Sequence, residues 1–198
     1  MLERTIFTTL PILLFGLACA SARADDAATR PLQAQAASLA ADYAGRLKAE
    51  LSGAMEADGP LAALSVCHEA APAIAADLSR SSGWSVARTS LKPRNASSAP
   101  DEYERAVMNS FSARIANGES AAGMVSAEVV EQKGHRVFRF VKAIPTASNC
   151  LICHGGDVKP ELKQKISELY PDDRATGFKL GDMRGVFTLQ KILDADQK

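Results

Sequence analysis

The stretch Asn149-Cys150-Leu151-Ile152-Cys153-His154-Gly155-Gly156 constrains this chain more than any other. Two thiols three positions apart, with an imidazole directly after, form the C-x-x-C-H pattern of covalent haem attachment. The spacing follows from the chemistry. Two thiols add to the two vinyl groups of haem as thioethers, and a two-residue gap lets both sulfurs reach one edge of the ring. The next residue then turns its imidazole under the iron as proximal ligand. With His154 in that role, the opposite face of the iron is either open or filled by a residue from elsewhere.

Three plainer uses compete. A thioredoxin-type pair sits at a helix N-terminus in a βαβ context. A strand is expected before this motif, but the wider pattern is not βαβ. Zinc needs two further Cys or His ligands, and Cys67, His68 and His135 are the only candidates. A simple disulfide between Cys150 and Cys153 is the last.

The N-terminus bears on the choice. Arg4 is followed by an apolar run, Ile6 to Ala20, interrupted by Pro11, and Ala22-Arg23-Ala24 offers a small-x-small cleavage site before Asp25. This reads as a secretory signal peptide over residues 1–24, leaving a single domain over 25–198. Cys19 is a rival lipidation site, disfavoured by Gly16 three residues before it. The expected location is therefore the periplasm, where haem attachment of this type is made. No later stretch reads as long and apolar enough to span a bilayer. Three cysteines remain after the leader, and three cannot all pair as disulfides. The 198 residues hold 23 acidic and 23 basic side chains, so no field attracts nucleic acid.

Along the mature chain, Leu32, Ala36, Leu39, Tyr43, Leu47, Leu51 and Met55 make one stripe on a long helix, stopped by Gly59-Pro60. A second helix, about 60–79, carries Leu61, Leu64, Cys67, Ala71, Ile74 and Leu78 on one face. Pro72 lies inside it and predicts a loosened turn just after Cys67. The two helices can pack as a hairpin, and the stripe over 28–56 also offers a homodimer face. A strand is expected over 84–91 and a loop over 92–100. A helix follows over 100–116, capped by Ser98 with Asp101 and facing inward through Tyr103, Val107, Phe111 and Ile115. Two strands flank Lys133-Gly134 as a hairpin, a polar helix covers 159–169, and a last strand covers 184–192. The order gives α+β with a mostly antiparallel sheet.

For the sixth ligand the candidates are Cys67, His68, His135, Met55, Met108, Met124 and Met183. Cys67 lies on the apolar face of its helix, where a buried inert thiol is also common. His68 is about 100° around the helix from it, and His135 starts a strand after a turn. The residues alone do not choose between Cys67 and a methionine or histidine. Arg88, Lys92 and Arg94 are close enough in sequence to meet the haem propionates together, with Arg184 a weaker candidate. Tyr170 or Phe178 either stacks on the ring or fills core.

Four segments occur in order: "LSVCHEAAPAIA" (64–75), "RTSLKPRNASSAPDEYE" (88–104), "NCLICHG" (149–155) and "YPDDRATGFKLGDMRGVFTL" (170–189). Together they resemble an exported family of single-haem c-type proteins with a PAS-like fold, long labelled a domain of unknown function. The resemblance spans about 60–190. It implies thioether attachment at Cys150 and Cys153, an axial histidine at His154, and Cys67 as the other axial ligand. All three mature cysteines then serve one covalent haem c. A thiolate ligand favours ferric iron and a low potential.

Haem names the cofactor, not the task. A closed six-coordinate site suits electron transfer or redox sensing with a periplasmic redox or signalling partner. A sulfur ligand displaced by NO or CO would make a gas-sensor module, read by a partner because the sequence holds no output domain. A peroxidase needs an open iron face and a distal base, which only His68 or His135 could supply, so the chain is not expected to be an enzyme.

Overall fold

The computed structural model describes the backbone of residues 18–194 and the side chains of residues 28–194. Residues 1–17, with most of the leader's apolar run, lie outside the described residues, as do the side chains of the cleavage site and of Cys19.

Alanine and leucine at steps of three and four give helix α1 (Ala18–Ser65) one apolar face. Ala36, Ala40 and Tyr43 on that face are buried. Gly59, with φ 77° and ψ −166°, breaks the helical backbone where the sequence predicts a stop. Helix resumes at once, because the fixed φ of Pro60 suits a first turn. The chain folds back at this point. The Tyr43 hydroxyl donates to the Ala71 carbonyl at 2.8 Å, and Arg46 pairs with Asp77 at 2.8 Å.

The loosened turn expected near Cys67 is present. Val66–Ala70 forms a π-turn, with the Ala71 N–H reaching back to the Val66 carbonyl. Pro72 has no N–H to offer residue 68, so the ordinary ladder cannot close there. Cys67 and His68 both sit on this turn. Helix α2 (Ala71–Ser82) follows.

One expectation is corrected. An 18-residue window within the helical stretch Ala28–Ser82 is long and apolar enough, by length and composition, to cross a membrane. Alanine supplies that hydropathy, and the same stretch buries Ala36, Ala40, Tyr43 and Leu78 in this chain's own core. The stripe offered as a dimer face is thus in large part used internally.

Four strands form one antiparallel sheet in the order β1-β4-β3-β2: β1 (Ser85–Thr89), β2 (Val125–Gln132), β3 (His135–Pro145) and β4 (Met183–Ile192). Lys133 and Gly134, at φ 54° and 80°, make the two-residue turn between β2 and β3. Side chains alternate across the sheet. Phe138, Phe140, Phe187 and Leu189 meet α1 and α2 together with Trp84 and Val86. Val141, Ala143 and Val186 face the other way, onto Met108 and Phe111 of α3 (Glu102–Ala116) and onto Met124. Helical hairpin, sheet and α3 are therefore three layers. At one end, Leu64 packs against α5 (Pro160–Leu169) through Leu162 and Ile166.

The cap of α3 differs from expectation. Asp101, not Ser98, is the N-cap. Its carboxylate accepts from the Glu104 N–H at 2.7 Å, and Glu104 returns a bond to the Asp101 N–H at 3.0 Å. Ser98 instead closes a short 3-10 turn. The buried face is also rotated by one residue, to Glu104, Met108 and Phe111, leaving Tyr103, Val107 and Ile115 partly buried. A buried charge explains the rotation. Arg139, 1% exposed, donates to Glu104 at 3.2 Å and to Asp101 at 2.8 Å. Thr188 also donates to Glu104, at 2.7 Å.

Glu104→Ala removes the buried carboxylate that pairs with Arg139. It is expected to cost about 3–5 kcal/mol of folding stability, measured by guanidinium unfolding. Tyr103→Phe, at the half-exposed rim, should cost under about 1 kcal/mol.

Candidate functional site

Strand pairing puts the end of β1, the end of β3 and the start of β4 at one end of the sheet: Thr89 faces Val186, and Pro145 faces Met183. The cysteine–histidine motif follows β3 directly, so the chain delivers it there. Its last four residues form a single helical turn, α4 (Leu151–His154). Gly155 ends that turn. A Cβ at this position would lie 2.6 Å from the Leu151 carbonyl oxygen.

The segment 170–182 is a strap laid along the motif. Phe178 N–H donates to the His154 carbonyl and Gly177 N–H to the Gly155 carbonyl, both at 2.9 Å. Gly181 N–H reaches the Thr146 carbonyl at 2.9 Å, and Arg174 N–H the Pro93 carbonyl at 3.0 Å. Aimed inward by the strap, the Ala175 carbonyl accepts from Nδ1 of His154 at 2.8 Å. A carbonyl only accepts, so the ring proton sits on Nδ1 and the lone pair is left on Nε2. Burial, followed by the charges of Arg184 and Arg94, holds the imidazole well below its usual range. The ring is neutral and ready to act as a ligand. Phe178 stands edge-on to it, with centroids 6.2 Å apart.

Arg94 is 6% exposed and ties three segments together. Its Nε donates to Asp173 at 3.1 Å. Its Nη2 donates to the Cys153 carbonyl at 2.6 Å and divides its second N–H between Asp173 Oδ2 and the Ala175 carbonyl, each at 3.3 Å. Asp173 also accepts from the Ala175 N–H at 2.9 Å. Arg88, from β1, lies over the Tyr43 ring at 5.4 Å. Arg184, from β4, lies over Phe178 at 5.2 Å and donates to the Ser90 hydroxyl at 3.2 Å. Burial, then the nearby charges of Arg94 and Arg88, push Arg184 down to about 10. Three arginines therefore converge with one paired carboxylate among them. Each keeps a buried N–H without a partner: Nε of Arg88, Nη1 of Arg94 and Nε of Arg184. Lys92 is different. It is exposed, donates to the Thr176 carbonyl and rests over Phe178 at 4.6 Å.

Cys67, Cys150 and Cys153 are free thiols, each half-buried. Burial raises the Cys153 thiol; Arg94 opposes this, and Cys67 and Cys150 add to it. Cys67 also bears on Tyr170, whose hydroxyl burial first and Cys67 next push up to about 12. The π-turn thus places Cys67 within electrostatic reach of Cys153, Tyr170 and Arg184. His68, beside it, is exposed and meets Tyr170 edge-on at 5.3 Å.

The other candidate ligands are placed elsewhere. Met108 and Met124 are buried under α3, and Met183 packs against that cluster. Met55 is half-buried on α1. His135 is exposed on the β2–β3 hairpin, 3.3 Å from Asp194. Among the described residues, no three His, Cys, Asp or Glu side chains gather as a metal-binding group. Sequence reasoning missed Asp173 and Ala175, and strand pairing adds Arg184, the weaker candidate, to Arg88 and Arg94. A glycine- and aspartate-rich loop after the motif was the available signal for the strap.

Fold and site together define an α+β protein whose helical hairpin and strap meet at a neutral histidine, half-buried thiols and three arginines that each keep one buried N–H without a partner. The Tll0287-like family model matches residues 21–190, and the chain belongs to that family. Among solved structures, the crystal structure of the cyanobacterial heme-protein Tll0287 shares the fold, with a TM-score of 0.63 at 20% identity. The match covers 83% of this chain and 96% of that one. No protein of curated function matches.

The His154 environment predicts a pH effect in the chain before any cofactor is attached. The folded ring binds its proton more weakly than the unfolded one, whose ordinary value is 6.5. Its stabilising contribution is therefore complete above pH 6.5 and is lost as the pH falls below it. The urea midpoint should drop between pH 7.5 and 5, and His154→Gln should flatten that slope.

Proposed function

We propose that this chain is a single-haem c-type protein with a PAS-like domain, exported to the periplasm, with His154 and Cys67 as axial ligands. One observation carries the reading: the Nδ1–H of His154 is fixed on the Ala175 carbonyl, which leaves the Nε2 lone pair available to a metal. Such a backbone partner is what fixes the tautomer of a ligating imidazole and raises its basicity.

The other residues fit the group. Cys150 and Cys153 would each add S–H across one vinyl double bond, sulfur to one carbon and hydrogen to the other, so nothing is oxidised. Arg88, Arg94 and Arg184 offer three unpaired buried N–H groups, and one of their three charges is already matched by Asp173. The two remaining charges equal the two propionates of haem, and such charge-assisted bonds are strong. Lys92 is better explained as a clamp on the strap. Bound haem would supply one-electron redox chemistry at its iron. Cys67, as the second axial ligand, would favour the ferric state.

Two filled axial positions support electron transfer or redox sensing with a periplasmic partner. A second reading, displacement of Cys67 by NO or CO, draws on the π-turn that carries it, since such turns recur at functional sites.

Expression with a c-type maturation system tests the attachment. The denatured protein should keep one haem by intact mass and by pyridine haemochrome absorbance. Cys150→Ala and Cys153→Ala should each leave one thioether, and the double variant should lose the haem on denaturation. A wild type that releases all its haem in denaturant would refute covalent attachment.

A further inference from the structure

Arg94 makes a contact that a part in propionate binding would not require. The Ala175 carbonyl accepts from two donors at once: Nδ1 of His154 at 2.8 Å and Nη2 of Arg94 at 3.3 Å. A carbonyl oxygen has two lone pairs, so both bonds can form together. They do not act independently. A guanidinium draws electron density from the oxygen it binds, leaving less for the imidazole N–H. The stronger the pull on that N–H, the more imidazolate-like the ring and the better a donor its Nε2 becomes.

The geometry holds this shared acceptor firmly. Asp173 fixes Nε of Arg94 at 3.1 Å and, with the same oxygen, fixes the Ala175 N–H at 2.9 Å. Donor and acceptor are therefore set by one carboxylate. The Cys153 carbonyl, one residue before His154, takes Nη2 at 2.6 Å, so the guanidinium is registered to the motif as well. Only Nη1 is left for an outside anion.

We propose that Arg94 is a positioning residue that weakens the electron donation of His154 by sharing the Ala175 carbonyl, and so raises the potential of the site. This rests on the haem reading above. Ligation by Cys67 and the shared carbonyl would then pull in opposite directions, the first toward ferric iron and the second away from it.

Arg94→Lys tests this, because it keeps the positive charge and removes the planar fork that reaches Ala175. The loaded protein is titrated with dithionite and ferricyanide, with haem content fixed by pyridine haemochrome. Removing the competing donor should raise the ferric-to-ferrous ratio at fixed ambient potential about tenfold, a fall of about 59 mV for a one-electron couple. In protein labelled with 15N-histidine, the Nδ1 resonance of His154 in the ferrous state should move toward the imidazolate position. A midpoint that stays or rises overturns the proposal. A midpoint that falls with Nδ1 unmoved also overturns it, because the effect would then belong to the propionates. Should Arg94→Lys not fold, the wild-type Nδ1 resonance decides: a protonated, weakly hydrogen-bonded nitrogen sustains the proposal and an imidazolate-like one overturns it. A wild type without haem overturns the haem reading and this proposal together, whereas a loaded protein with an unmoved midpoint overturns this one alone.

Discussion

Arg94 and Asp173 form the ion pair on which the rest of the site depends. Both are nearly buried, at 6% and 11% side-chain exposure. Removing two charges from water is costly, and such a pair is seldom a net source of stability. What it supplies here is registration. One guanidinium joins the loop after β1 to the end of the motif and to the strap. One carboxylate sets the turn that points the Ala175 carbonyl at His154. Without the pair, backbone bonds still tie the strap to the motif, but the Ala175 peptide loses its contacts to Arg94 and Asp173.

The same logic explains why the site carries more positive charge than it neutralises. Arg88, Arg94 and Arg184 come from β1, the following loop and β4, and each keeps a buried N–H without a partner. Orphaned buried donors are expensive, and Arg184 shows the strain in its lowered affinity for its proton. An apo chain bears that cost. A dianionic ligand bound to the folded state alone would remove it and stabilise the fold by mass action. On the proposed reading, cofactor attachment and completion of the fold are one event.

The motif, the helical stripe, the hairpin turn and the antiparallel sheet were legible in the sequence, because each is a local pattern of period, spacing or turn chemistry. Pro72 even announced the π-turn. The parts that were not legible rest on distant or backbone groups. Ala175 acts through its carbonyl, which every residue type possesses, so its identity carries no signal. Asp173 meets Arg94 across 79 positions of chain, and Arg184 belongs to the pocket only through strand pairing. Asp101 displaced Ser98 as helix cap because Arg139 and Glu104, buried across the sheet, fix where α3 begins. Met108 and Met124 looked like ligands on composition, but the alternation of β3 and β4 commits them to the opposite layer.

The most direct test of the central claim, that His154 and Cys67 face one another across a haem iron, is the low-temperature EPR spectrum of the oxidised, loaded protein. The predicted spectrum is low-spin ferric with the narrow g spread of thiolate ligation, lost in Cys67→Ala. A high-spin spectrum, or a low-spin one that survives Cys67→Ala unchanged, would contradict it.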